Sequence, residues 1–185
     1  AVMFVVEMSS GMISGSQALK ADALDFAEDT ATYTLSLMVI GASVRTRAYA
    51  SLFKGASLAM IAMAVLGMTA LRVLDGSPPE ASTMGIVGFM ALAANAASVM
   101  ILLRWRDGDS NVRSVWLCSR NDAIGNVGVI LAGGLVALTG SAWPDLVVAI
   151  LLASLFLKSA SAITLQAARE LKADREFQAQ HSTTA

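Results

Sequence analysis

Charge is scarce in this sequence: Asp, Glu, Lys and Arg make up 15% of 185 residues, where a water-soluble domain carries about 25%. No cluster of Lys and Arg appears anywhere and the net charge is −1, so the phosphate-binding surface of a nucleic-acid partner is excluded. One cysteine, Cys118, rules out a disulfide within the chain. The single histidine, His181, sits in a polar tail, and no His-rich loop is present. Pro78-Pro79 and Pro144 stand where a helix would stop or start. The chain opens on Ala1 inside an apolar run, without the basic region and cleavage site of a signal peptide. We read this start as a trimmed terminus within a first helix. About 20 residues follow the last apolar block, too few for a core of their own.

What is abundant is apolar surface. Hydrophobic residues make up 56% of the chain, and they arrive in blocks that, except for the first, are close to the ~20 residues that cross a bilayer as helix. The blocks run roughly 1–13, 18–43, 49–74, 80–103, 110–139 and 143–165. Ser14-Gly15-Ser16, Asp75-Gly76-Ser77-Pro78-Pro79 and Gly140-Ser141 separate them, and Asp109-Ser110 offers an N-cap for the fifth. The expectation is an all-α membrane protein of six transmembrane helices over residues 1–168, with a cytoplasmic C-terminal extension over 169–185. Arg45, Arg47, Arg104, Arg106, Arg113, Arg169, Lys172 and Arg175 lie at one set of ends, against only Lys20 and Arg72 at the other. The positive-inside rule then makes both termini cytoplasmic. Trp105, Trp116 and Trp143 lie toward helix ends, as interfacial aromatics do.

Acids inside such blocks need a physical reason, because a charge at membrane depth costs several kcal/mol unless it is paired, hydrated or bound to an ion. On the second block Asp22, Asp25 and Asp29 fall within an arc of about 60° at 3.6 residues per turn, with Glu28 off to the side. On the fifth, Cys118, Asp122 and Asn126 follow one another at intervals of four. Both pairs, Asp25 with Asp29 and Cys118 with Asp122, come near the middle of a core about 30 Å thick. Together they supply four donors, the number a tetrahedral Zn²⁺ ion takes. One soft sulfur among hard oxygens suits Zn²⁺, Cd²⁺ or Co²⁺ better than Mg²⁺ or Ca²⁺. Asp22, Asn126 and Glu7 are expected beside this site or along a path to it. Asn95 is expected to hydrogen-bond between helices, and Arg120 to pair away from the site, with Glu28 as a partner.

Asp25-x-x-x-Asp29 and Cys118-x-x-x-Asp122 on the second and fifth of six spans resemble the paired motifs of the cation diffusion facilitator family, with cysteine in the usual histidine place. Phe4-Val5-Val6-Glu7, Gly11, Leu19-Lys20-Ala21-Asp22-Ala23 and Trp143-Pro144-Asp145 extend the likeness along nearly the whole chain. The resemblance implies a transporter rather than an enzyme, one that exports Zn²⁺ and related ions from the cytoplasm in exchange for protons, usually as a homodimer. It implies no prosthetic group, the metal ion being the transported substrate, and the setting is read as a bacterial inner or plasma membrane. The family's usual cytoplasmic metal-binding domain is not expected among these residues, and dimer formation is then expected of the membrane helices. Two other functions fit membrane acids: proton-coupled export of an organic cation, with Phe26 and Tyr33 the nearby aromatics, and a membrane partner that binds metal without transporting it. The ten methionines are scattered without a cluster, so packing rather than copper chemistry is expected of them.

Overall fold

A computed structural model describes residues 2–39, 41–105 and 110–182; the side chains of 36, 105, 110–118 and 180–182 lie outside that description. The described residues form six α-helices: α1 (Val2–Ser14), α2 (Gln17–Met38), α3 (Val44–Asp75), α4 (Ala81–Leu102), α5 (Ser110–Thr139) and α6 (Trp143–Ser182), with a 3₁₀ turn over Leu103–Trp105. Helices α3, α4, α5 and α6 are long and apolar enough to cross a membrane. Although its 22 residues suffice for length, α2 owes its polarity to Lys20 and the acids between Asp22 and Asp29. The chain is an integral membrane protein.

Side-chain and backbone caps set the helix ends. Ser16 caps α2, its hydroxyl accepting from the Leu19 amide at 3.0 Å. Ser43 does the same for α3 through Thr46 at 3.2 Å. That cap starts α3 at Val44 rather than near 49, so Arg45 and Arg47 belong to its first turn and not to a loop. Block two correspondingly ends at Met38, short of 43. Gly76 and Gly140 close α3 and α5 with positive φ, donating to Arg72 O and Val136 O at 3.0 and 2.8 Å, the left-handed ending that glycine adopts at no steric cost. The expected N-cap at Asp109 lies outside the described residues. Helix α6 runs unbroken through the polar stretch after 168, and Asp174 on it meets Arg45 of α3 at 2.7 Å.

The helices pack closely where side chains are small, as membrane helices do when dispersion replaces the hydrophobic effect. A Cβ on Gly11 would stand 3.0 Å from Lys20 Cγ, so α1 and α2 nearly touch there. At Gly133 it would stand 3.0 Å from Met84 Cβ, and at Gly88 3.1 Å from Ile130, which fixes the α4–α5 register. Gly55 sits against Ala160 and Thr164 in the α3–α6 seam. Gly134 has open space beside it. Two apolar clusters result. One joins α3 and α6 to Ala21 of α2 through Leu58, Val65, Leu152 and Phe156. The other gathers Ala18, Leu19, Met84, Val87 and Val129 from α2, α4 and α5, with Val6 of α1 against it.

Candidate metal site

The acids of α2 face α5. Asp25 and Asp29 are half-buried, one helical turn apart, and the Asp122 carboxyl of α5 lies within hydrogen-bonding reach of both. Carboxylates this close repel, and a proton or a cation between them relieves the repulsion. The three form a chain of neighbours through Asp122; among the described residues no three acidic, thiol or imidazole side chains close into a ready metal cage. Cys118, the expected fourth donor, is on α5 one turn before Asp122, but its side chain lies outside the described residues.

Two neighbours tune this cluster. Tyr33, one turn beyond Asp29, donates its hydroxyl to Asp29 Oδ2 at 3.3 Å. Lys54 of α3 stands close enough to act on Asp29 electrostatically. Sequence reasoning missed Lys54; the available signal was a lone lysine about five residues into the third apolar block. Glu28, which acts electrostatically on Asp25 and Asp29, takes a hydrogen bond from Thr32. Arg120 reaches Asn121 Oδ1 at 3.5 Å. Asn95 is buried on α4, but its Nδ2 has no hydrogen-bond partner among the described residues, so the expected interhelical bond is not made there through that nitrogen.

Asp22, Asn126 and Glu7 are all fully or almost fully buried, at 2, 0 and 0% exposure. Asp22 acts electrostatically on Glu7 of α1 and on both Asp25 and Asp122, so it stands between α1 and the acid cluster.

Another acid serves the frame rather than the cluster. Asp145, in the first turn of α6, accepts from Ser16 Oγ at 2.6 Å, from the Gln17 amide at 2.8 Å and from the Ala18 amide at 3.1 Å. It thus caps the N-terminus of α2 from another helix, satisfying amides that have no partner within α2. The sequence showed Asp145 only as part of a helix start; its partners are about 130 residues away. Near the same end of the bundle, Glu80 N donates to Ser14 O at 3.0 Å. The hydroxyls of Ser82 and Thr83 hold the Glu80 carboxyl below its ordinary pKa.

Six helices with carboxylates enclosed between them define an all-α integral membrane protein with ionisable groups inside its bundle. The chain belongs to the cation diffusion facilitator family: residues 1–171 match the family described as the cation efflux transmembrane domain. It is 28% identical to the metal cation efflux system protein CzcD of Cupriavidus metallidurans over 80% of this chain and 51% of that protein. It is 28% identical to the zinc transporter ZitB of Escherichia coli over 90% of this chain and 58% of that protein. A cadmium, cobalt and zinc/H(+)-K(+) antiporter of Bacillus velezensis is 24% identical over 86% of the chain and 56% of its own length. The chain therefore spans just over half the length of these relatives. Their names are those of transporters, not enzymes.

Proposed function

We propose that this chain exports divalent transition-metal cations from the cytoplasm, Zn²⁺ first and Cd²⁺ or Co²⁺ next, through a site made by Asp25, Asp29, Cys118 and Asp122. The observation that carries the reading is the meeting of the Asp122 carboxyl with both Asp25 and Asp29 across the α2–α5 contact. Carboxylates and a thiolate must shed protons to take a metal, so binding on the inner side releases protons and protonation on the outer side expels the ion. The site thereby couples outward metal movement to inward proton movement. Lys54 beside Asp29 adds a fixed positive charge that favours release. Both termini are cytoplasmic, the setting is a bacterial inner membrane, and the working unit is a homodimer. The names of the relatives, for zinc, cadmium and cobalt, favour the same ions.

Export of an organic cation is the weaker reading. Tyr33 presents its hydroxyl, not its ring face, to Asp29, whereas a cation cage uses ring faces. The cleft along α2, lined by Phe4, Ala27, Thr30, Ala31, Thr34, Leu35 and Met38, contains no carboxylate. A metal-binding partner without transport would show affinity and no flux. The test is Zn²⁺ uptake into proteoliposomes under an imposed pH gradient. Asp29→Ala and Asp122→Ala are each expected to lower the flux at least a hundredfold; undiminished flux in both ends the proposal.

A further inference from the structure

The packing registers place a second polar layer beside the acid cluster. Gly11 lies against Leu19 and Lys20, so in the antiparallel α1–α2 pair Glu7 falls at the height of residues 22–24, and Asp22 is its charged neighbour. On α5, Asn126 is one turn from Asp122 toward Thr139; on α2, Asp22 is about one turn from Asp25 toward Gln17. The two helices run antiparallel, with Asp122 beside Asp25 and Asp29. Asp22 and Asn126 therefore share a level roughly 5 Å from the cluster, on the side of the α1–α2 turn. Asn126 belongs to the same buried face of α5 as Val129, Ala132 and Val136, the face that packs on Ala18 and Leu19 of α2.

The chemistry of this layer is incomplete. Both oxygens of Glu7, Oδ2 of Asp22 and both amide atoms of Asn126 are sealed from the surface without a hydrogen-bond partner among the described residues. Native interiors satisfy such groups with protein or water, and an unsatisfied buried polar group costs about 1–3 kcal/mol. Two acids and an amide carbonyl, set at one level by three helices, offer oxygen atoms alone as donors. Two carboxylates balance one divalent charge.

We infer that Glu7, Asp22 and Asn126 form a second divalent-cation subsite, one helical turn from the Asp25–Asp29–Asp122 cluster toward the α1–α2 turn. Its all-oxygen lining selects differently from a site that includes a thiolate: it favours hard ions such as Mn²⁺ over thiophilic Cd²⁺. In the topology proposed above it stands on the outward side, where an ion leaving the first site is next held. That relay role rests on the proposed transport function; the binding itself does not.

The experiment counts Mn²⁺ bound to the purified full chain in detergent by the loss of the free-ion electron paramagnetic resonance signal. Variant Asp25→Asn/Asp29→Asn/Asp122→Asn is expected to retain one Mn²⁺ per chain, and adding Glu7→Gln is expected to weaken that binding at least tenfold. Glu7→Gln in the otherwise unchanged chain should lower the count from two to one. It removes a buried charge while keeping the shape, so the fold is expected to persist. No binding in the triple variant alongside one ion in the unchanged chain overturns the inference and leaves the transport site standing. An unchanged count in Glu7→Gln overturns it equally. One ion retained by the triple variant and lost with Glu7→Gln, in a chain whose Zn²⁺ flux ignores Asp29→Ala and Asp122→Ala, supports the subsite and removes the transport proposal.

Discussion

The two halves of this bundle are built on opposite terms. Where α3 meets α6, the seam is dry: Leu58, Ala62, Val65, Ala153, Phe156 and Ala160 fill it, and Gly55 lets the backbones close. Among α1, α2, α4 and α5, the inward positions include Glu7, Asp22, Asn95, Asn126 and the Asp25–Asp29–Asp122 cluster, several of whose atoms lack partners. Packing holds the first half together, and the second encloses buried polar atoms without hydrogen-bond partners among the described residues. Helix α2 belongs to both, giving Ala21 to the dry cluster and its acids to the wet one.

The largest effect is expected in the wet half. Asp122→Asn should lower Zn²⁺ flux at least a hundredfold while leaving thermal stability in detergent unchanged or higher, because it removes mutual repulsion among neighbouring carboxylates. A loss of stability that parallels the loss of flux would erase the contrast between the halves. In the dry half the reverse is expected. Phe156→Ala opens a cavity and should cost about 3 kcal/mol, read as a lower melting temperature, with residual flux scaling with the folded fraction.

Asp145→Ala tests the frame between them. Loss of the acceptor for two α2 amides and the Ser16 hydroxyl should cost about 2 kcal/mol, with Asp145→Asn recovering part of it. Lys54→Met should raise Zn²⁺ affinity about tenfold, measured by calorimetry, and slow release in the flux assay, since one fixed charge near a partly desolvated site is worth on the order of 1 kcal/mol. Arg45→Ala, which removes a pair whose arginine side chain is 56% exposed, should change stability by less than about 1 kcal/mol.

Much of the fold was legible because lipid imposes a simple code. Apolar runs of bilayer length, broken by Gly76 with Pro78-Pro79 and by Gly140-Ser141, marked six helices that the structure contains. The ends were less legible, since Ser43 caps an α3 that begins at Val44, about five residues before its apolar block. In the site, Asp25, Asp29 and Asp122 stood out because interval-four spacing puts paired groups on one helix face, and a charge in an apolar run is costly. What the sequence hid was long-range. Asp145 acts on an α2 terminus some 128 residues away, and Lys54 acts on Asp29 from a different helix, α3. Helical periodicity determines which face of its own helix a residue occupies but not which neighbour that face meets, so Asn95 was expected to bond across helices and its amide nitrogen does not.

The proposition that everything else depends on is that donors from α2 and α5 hold one divalent ion between them. X-ray absorption at the zinc edge, on full-length chain loaded with one equivalent of Zn²⁺, reads those donors directly. One sulfur at about 2.3 Å with oxygens near 2.0 Å is expected, the sulfur vanishing in Cys118→Ser and the oxygen shell changing in Asp122→Asn. A shell of nitrogen and oxygen only, unaltered by both substitutions, would contradict it.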